Sequence, residues 1–349
     1  MERLKRLVLS KLGRDNHPLH QGPAVKPIPD IKSQRMLSKP ALGDPVRPIF
    51  VIGAPRSGTS ITNWALGQHP NIQPVPETAW IAAFAVGVQS AYFIGSERGR
   101  FSHLSNVALP SDLFFRRMGE AVDRVVNDVF EERCARMYGD WRNLGRLENA
   151  AGQETTQMRL RRRSDDPKKR WVDATPLNSM FVWGLSMMFP EAIFVHNIRK
   201  PHEVVASLAN FEAAGGLSLQ LADGIRTWTD HVYACDMAEK ALGSHRVYTA
   251  RFDQLSSDPR GFFGGILKFA GEEWSEDCLA PMTNKINSSQ VDNQRDSVLK
   301  MVAGSPEYLR AKALYDDIVS RPATTKPDAD ALREISTNFQ RLAVTHRCI

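Results

Sequence analysis

Residues 47–67 read RPIFVIGAPRSGTSITNWALG, and this stretch decides the fold. The run RPIFVIG (47–53) is continuously apolar and closes on glycine, which predicts a strand buried on both faces, as strands of parallel sheets are. The segment after it, TSITNWALGQHP, spaces its apolar residues at helical intervals and stops at Gly67 and Pro70. GAPRSGTS (53–60) therefore lies at a strand-to-helix turn. Glycine at such a turn lets successive N–H groups, together with the positive end of the helix dipole, converge on an anion. Here Ser57, Gly58, Thr59 and Ser60 supply the N–H groups, and the hydroxyls of Thr59 and Ser60 add donors. A phosphate is the expected occupant.

The turn is close to the phosphate loop of nucleotide hydrolases, G-x-x-x-x-G-K-[ST], with one displacement. Thr59 stands where that loop has lysine, and the cation comes three places earlier as Arg56. The lysine reaches the outer phosphates while the next hydroxyl holds Mg²⁺. The lysine is missing here, and no obvious metal-holding aspartate ends a later apolar strand. A metal-independent donor fits better, so the expected metal set is none. A Mg²⁺-dependent kinase is the alternative, and it calls for lysine at position 59.

Outward from the loop, IQPVP (72–76), WVDATP (171–176), AIFVHNIRKP (192–201) and HRVYTARF (245–252) read as four further strands. Helical patterns lie between them, at about 178–188, 202–211 and 220–242, and across much of 78–150. Alternating strands and helices predict an α/β fold of P-loop-like, three-layer type, a central parallel sheet flanked by helices, with further helical insertions. The division expected is a basic N-terminal arm at 1–46, the main α/β domain at 47–321 and a C-terminal helical tail at 322–349.

Bulk properties narrow the class. The 349 residues are 42% hydrophobic and 24% charged, an ordinary globular balance. The net charge of +6 is local: residues 1–47 hold ten Lys/Arg against four Asp/Glu, which leaves 35 of each sign in the rest. Nucleic acid is thus not an expected partner. The four cysteines are scattered singly, without the spacing of a zinc site or a disulfide framework. No apolar run is long enough to span a bilayer, and LVLSKL (7–12) is too short and too interrupted for a secretory signal. A cytoplasmic protein is expected. Leu4, Leu7, Val8 and Leu12, set among Arg3, Lys5, Arg6 and Lys11, allow a peripheral contact of residues 1–12 with an anionic membrane surface.

GAPRSGTS resembles the 5′-phosphosulfate loop, P-[KR]-[SA]-G-T-[TS], of sulfotransferases that use 3′-phosphoadenosine-5′-phosphosulfate (PAPS). IRKPHEVVAS (198–207) resembles their 3′-phosphate motif, an arginine after a strand followed eight residues later by a helical serine. Arg199 and Ser207 have that spacing. An arginine at the carboxyl end of a strand can fork onto a phosphate. RVYTARFDQLSSDP resembles the family's R-Y-E-D-L and D-P strand and loop, and the likeness covers about residues 47–280. NKINSSQ (284–290) is similar to the late loop that folds over the nucleotide, which makes Ser288 and Ser289 further binding candidates.

The resemblance implies sulfonate transfer from PAPS, as co-substrate, to an acceptor hydroxyl. Such a transfer needs a base on the acceptor oxygen and a cation near the departing phosphate; Arg56 is placed for the second. Glu77, in PET, resembles the catalytic glutamate that tyrosylprotein and several carbohydrate sulfotransferases carry, and in the tyrosylprotein branch it follows the loop arginine at this 21-residue spacing, which implies general-base catalysis. His69 is the rival, because the cytosolic branch uses histidine, but in GQHP it reads as a helix-ending cap. His196 lies within a buried strand. Two positions depart from the family. Ala174 replaces the lysine of D-K-T-P, and Lys200 replaces the aspartate of R-D-P. Either another cation substitutes at Ala174, with the basic loop 159–170 as its source, or turnover is weakened, or the acceptor differs. A non-catalytic PAPS-binding relative is a further alternative. The expected acceptor is a carbohydrate or glycolipid hydroxyl, with protein tyrosine second.

Overall fold

The computed structural model describes residues 46–138, 162–163, 165–214, 217–283 and 295–345. Five parallel strands, β1 (Ile49–Ile52), β2 (Ile72–Val75), β3 (Arg170–Asp173), β4 (Ile193–Ile198) and β5 (Val247–Arg251), form one sheet in the order β2-β3-β1-β4-β5. The central strand shows why the sheet is sandwiched. Alternate β1 side chains face opposite layers, and all four are fully buried: Ile49 and Val51 join one cluster, Phe50 and Ile52 the other. No water-facing side is left, hence the unbroken apolar run.

On the Ile49/Val51 face lie α1 (Thr59–Gly67), through Ala65 and Leu66, and a helix over Pro259–Ala270, through Phe262, Phe263 and Ile266. On the Phe50/Ile52 face, Phe50 packs against Trp171, Phe189 and Phe194 with ring centroids 5.4–5.9 Å apart. Truncating one such aromatic to alanine typically costs about 3–5 kcal/mol. The same cluster takes in α2 (Trp80–Ser96) and α3 (Ser111–Tyr138). It also takes in α4 (Val182–Met188), which a 3₁₀ turn over Pro176–Phe181 precedes. The C-terminal helix Ala329–Thr345 belongs here too: Phe339 presses on Gly184, where an added Cβ would meet the ring at 2.3 Å.

Two further helices matter for the site. α5 (Pro201–Ala209) follows β4, and α6 (Leu221–Leu242) packs on it. β2 stops at Val75, one residue short of the 72–76 read from the sequence. Pro76 has no N–H to continue the ladder, and Pro74 is tolerated because β2 is an edge strand.

Order and direction position the site. β1 runs between β3 and β4, and the chain leaves it first to one side and later returns on the other. Open parallel sheets bind ligands outside the carboxyl ends of their strands at such a switch point. The segments after β1, β2, β3 and β4 begin with Gly53, Pro76, Ala174 and Arg199, which gathers the sequence-chosen residues at one end of the sheet.

Candidate functional site

The turn after β1 is built by two glycines. Gly53 has φ +143°, and an added Cβ would lie 2.5 Å from the Asn197 carbonyl oxygen on β4. Its N–H donates to Ser179 Oγ at 3.0 Å. Gly58, at φ +89°, is the N-cap of α1 and offers no side-chain cap. The first N–H groups of α1 have no intrahelical acceptors and point into the turn. Arg56 itself takes φ +70°, a left-handed conformation that costs a non-glycine residue about 1 kcal/mol or more. The loop accepts that strain at the position of its cation.

Arg56, Arg199 and Ser207, up to 151 residues apart in sequence, form one connected cluster. Arg56 Nε donates to Ser207 Oγ at 3.0 Å, and Arg199 Nη1 donates to the Arg56 carbonyl at 3.1 Å. Arg199 is buried and fixed further by Glu203, whose carboxylate accepts from Nε at 2.9 Å. Its guanidinium lies over the Phe252 ring, 4.2 Å from the centroid, and Arg56 lies over Phe211 at 4.7 Å. Trp228 on α6 holds the chain at this point by donating Nε1–H to the Arg199 carbonyl at 2.9 Å. Phe252 also fills the space a Cβ on Gly58 would need, approaching it to 2.5 Å. One ring thus supports both the loop and the second arginine.

The electrostatics fit an anion. Burial and the neighbouring Arg199 charge lower the Arg56 pKa, and the Glu77 carboxylate raises it. Two guanidinium groups held this close repel, and a bound phosphate would relieve the repulsion. Ser57 Oγ is buried and has no hydrogen-bond partner among the described residues. These features fit a phosphorylated ligand: a glycine cradle, an orphaned hydroxyl and two cations. Thr59 is buried and Ser60 exposed at the start of α1. Ser288 and Ser289 lie outside the described residues.

Glu77 sits exposed in the turn after β2, near enough to Arg56 for its charge to be felt there. Its neighbour Thr78 is tied down twice: Oγ1 donates to Asp173 Oδ2 at 2.7 Å, and N–H donates to Thr175 Oγ1 at 2.8 Å. Asp173, fully buried, also accepts from the N–H (3.0 Å) and hydroxyl (2.6 Å) of Thr175 and from Asn178 Nδ2 (2.8 Å). Burial raises its pKa, and these donors pull it back. Ala174, between Asp173 and Thr175, is buried in the apolar cluster beneath α1 and brings no charge to the site.

His69 accepts the Asn71 N–H on Nδ1 at 3.1 Å, so Nε2 carries the proton and donates to the Glu273 carbonyl at 2.9 Å. It lies at the other end of α1 from the loop. His196 is fully buried in β4, and burial pushes its pKa down to about 4, which keeps it neutral.

Of the basic loop expected as a source of a substitute cation, Arg159 and Arg161 lie outside the described residues, and Arg163, Lys168 and Arg170 are engaged elsewhere. Lys168 Nζ is buried and caps the carbonyls of Gly67, His69 and Ile72 at 2.8–3.1 Å. Arg170 donates to the carbonyls of Arg47 (2.7 Å) and Ala270 (2.6 Å), and Arg163 pairs with Asp277 at 3.2 Å. Lys168 and Arg170 thus serve the amino-terminal ends of β2 and β3, opposite the site. Among the described residues, no group of three or more His, Cys, Asp or Glu is placed to hold a metal ion, and no helix is long and apolar enough to cross a membrane.

The sequence model of the Sulfotransferase family matches residues 48–276, which include every described site residue above. The chain belongs to the sulfotransferase family. It is 25% identical over 243 residues to an uncharacterized protein of Aquifex aeolicus (strain VF5), a match covering 67% of this chain and 26% of that one. The chain therefore spans about a quarter of the length of the curated relative it matches. The sulfotransferase domain from the Synechococcus PCC 7002 olefin synthase is 18% identical, covering 89% of this chain and 98% of that one with a TM-score of 0.42. A sulfotransferase from Alicyclobacillus acidocaldarius is 15% identical, covering 82% and 99%, with a TM-score of 0.40. At these scores the two structures add nothing to the family match.

Proposed function

We propose that this sulfotransferase moves the sulfonate of PAPS to an acceptor hydroxyl by in-line displacement, with Glu77 as general base. The observation that carries the reading is the convergence at the loop of Arg56, Glu77 and Arg199, which follow β1, β2 and β4, and of Ser207 on α5. The donor supplies an activated sulfonate on a 5′-phosphate leaving group. Arg56, Ser57 and the N–H groups at the start of α1 hold the 5′ side, with Gly58, Thr59 and Ser60 shaping that cradle. Arg199 and Ser207 hold the 3′-phosphate; Ser288 and Ser289 are proposed to close over the nucleotide. Arg56 remains a cation despite its lowered pKa and takes up charge as the bond to the leaving phosphate breaks. Glu77 takes the acceptor's hydroxyl proton, a role worth about 10² to 10⁴ in rate.

For the acceptor, a carbohydrate or glycolipid hydroxyl is preferred. α2 starts three residues after Glu77 and has no charged residue from Trp80 to Ser96; Trp80 and Phe84 are 43% and 38% exposed. Apolar surface beside a base favours an acceptor with an apolar part, hence a glycolipid over a free sugar. Protein tyrosine is second, supported by the 21-residue spacing from Arg56 to Glu77. A cytoplasmic setting, with residues 1–12 at the membrane surface, would bring such an acceptor within reach.

The test is incubation with ³⁵S-labelled PAPS and a panel of glycolipids, sugars and tyrosine peptides, with and without EDTA. Label transferred to a hydroxyl in both conditions is expected. Chelator-sensitive transfer would contradict the metal-independent assignment, metal-dependent ATP binding without sulfonate transfer would favour the kinase alternative, and tight binding of the desulfated nucleotide without transfer would favour a non-catalytic relative.

A further inference from the structure

Glu77 is exposed, yet the chain is fastened on both sides of it, by strand pairing before it and by the buried Asp173 carboxylate and Thr175 after it. On the near side, β2 pairs with β3 as far as Val75 opposite Asp173. The Val75 carbonyl is held from the other face by Asn63 Nδ2 at 2.9 Å. On the far side, Thr78 Oγ1 donates to the Asp173 carboxylate and Thr78 N–H to Thr175 Oγ1. Between these feet are only Pro76, with its φ fixed by the ring, and Glu77. The next residue, Ala79, takes φ +43°, and the Trp80 N–H turns back to the Thr78 carbonyl. A non-glycine residue persists in that conformation only where its surroundings over-determine it.

We infer that Asp173, acting through Thr175 and Thr78, is a positioning residue that fixes the Glu77 arch over the donor loop. The inference rests on the reading of Glu77 as base. Burying a carboxylate is costly unless its lone pairs are filled, and Asp173 is filled by four donors from two segments, 78 and 173–178. Three of them close the turn after β3 on itself. The fourth is the Thr78 hydroxyl, 95 residues away in sequence, and it has no part in that turn. It joins the strand end that carries Glu77 to the strand beside β1, which carries the loop. A base must stand within hydrogen-bond reach of the proton it removes, and a misplacement of about 1 Å can cost 10²-fold in rate. An exposed glutamate on an unfastened turn would lose that much to its own mobility.

The test compares Thr78→Val, which keeps the shape and removes the hydroxyl, with Thr78→Ser, which restores it, and with Asp173→Asn. Each is made in the wild-type and Glu77→Gln backgrounds and assayed with PAPS and the best acceptor of the panel. Thr78→Val is expected to lower kcat by about 10²-fold with adenosine 3′,5′-bisphosphate affinity unchanged. Thr78→Ser is expected to recover most of the rate, and Thr78→Val to cost nothing further once Glu77 is glutamine. Losses that multiply in the double variant would overturn the inference. ¹⁵N relaxation of the Glu77 amide gives a readout independent of turnover. The wild-type order parameter should match the rigid backbone value of about 0.85, and Thr78→Val should bring it below about 0.6. An amide equally rigid in Thr78→Val overturns the clamp. Full activity of Glu77→Gln, with the amide still loosened by Thr78→Val, would instead sink the assignment of the base and leave the clamp standing.

Discussion

Replacing Gly58 by alanine perturbs the loop at the point where backbone and packing constraints coincide. The residue sits at φ +89°, ψ +14°, left-handed space that costs an alanine roughly 1–2 kcal/mol. The new methyl would also lie 2.5 Å from the Phe252 ring, and overpacking of this kind typically costs about 1–3 kcal/mol. The ring has little freedom to yield, because the Arg199 guanidinium covers it at 4.2 Å. The combined cost is roughly 2–5 kcal/mol, borne by the conformation in which the loop N–H groups and Arg199 face one ligand. If the chain relaxes locally, only the competent fraction binds. The affinity for adenosine 3′,5′-bisphosphate should then fall by about 30-fold or more, since 1.4 kcal/mol is tenfold. Isothermal titration calorimetry measures this directly, with thermal unfolding showing that the variant is folded. A folded Gly58→Ala protein that binds the nucleotide within about twofold of wild type, well under 1 kcal/mol, would refute both the anion cradle and its coupling to Arg199 through Phe252.

Further predictions address the second arginine, the acceptor face and the core. Arg199→Lys should weaken adenosine 3′,5′-bisphosphate binding by tenfold or more, about 1.5–3 kcal/mol. An ammonium cannot at once pair with Glu203, reach the Arg56 carbonyl and stack on Phe252; equal affinity would remove Arg199 from the site. Among sugars offered as acceptors, alkyl glycosides should outperform the free sugar, with kcat/KM rising by up to about fourfold per methylene. Phe84→Asp should abolish that advantage without changing donor affinity, and a chain-length-independent rate would contradict an apolar acceptor face. His196 and His231, both fully buried, have pKa values pushed down to about 4 from 6.5 by burial. A depressed folded pKa gives stability that is full above pH 6.5 and is lost as the pH falls toward 4, about 3 kcal/mol for each histidine. Denaturant unfolding across that window should show uptake of up to two protons; a flat profile would mean that these rings are protonated in the folded protein.

The elements were largely legible because each followed from local pattern. RPIFVIG is apolar throughout since Ile49 and Val51 face one layer and Phe50 and Ile52 the other. The glycines around Arg56 announced a turn because only glycine takes the backbone of Gly58 without strain. The spacing from Arg199 to Ser207 marked a strand end and a helix, yet the contact of Ser207 with Arg56 depends on β4 lying beside β1, which no local pattern states. Long-range partnerships were the hidden part. Phe252 reads as one apolar residue in ARFDQL, and nothing near it indicates that it separates Gly58 from Arg199. Asp173 and Thr175 drew notice for the alanine between them, whereas their bonds to Thr78 require β2 and β3 to be paired. The basic loop misled for the opposite reason. Its cations offered a substitute for the lysine missing at Ala174, but Lys168 and Arg170 are committed to backbone carbonyls at the far end of the sheet, and charge alone does not reveal which carbonyls a lysine will meet. Had the strand order been known, Glu77 and Asp173 could have been paired from sequence, since Glu77 follows the end of one strand and Asp173 ends its neighbour.

The central claim is that Glu77 performs the chemistry while the arginine cluster holds the donor. It is tested most directly by Glu77→Gln, with sulfonate transfer from ³⁵S-labelled PAPS and the affinity for adenosine 3′,5′-bisphosphate measured on the same preparation. Transfer should fall by about 10²-fold or more while nucleotide affinity stays at the wild-type value. Transfer at the wild-type rate, or loss of nucleotide binding together with activity, would contradict the assignment of the base.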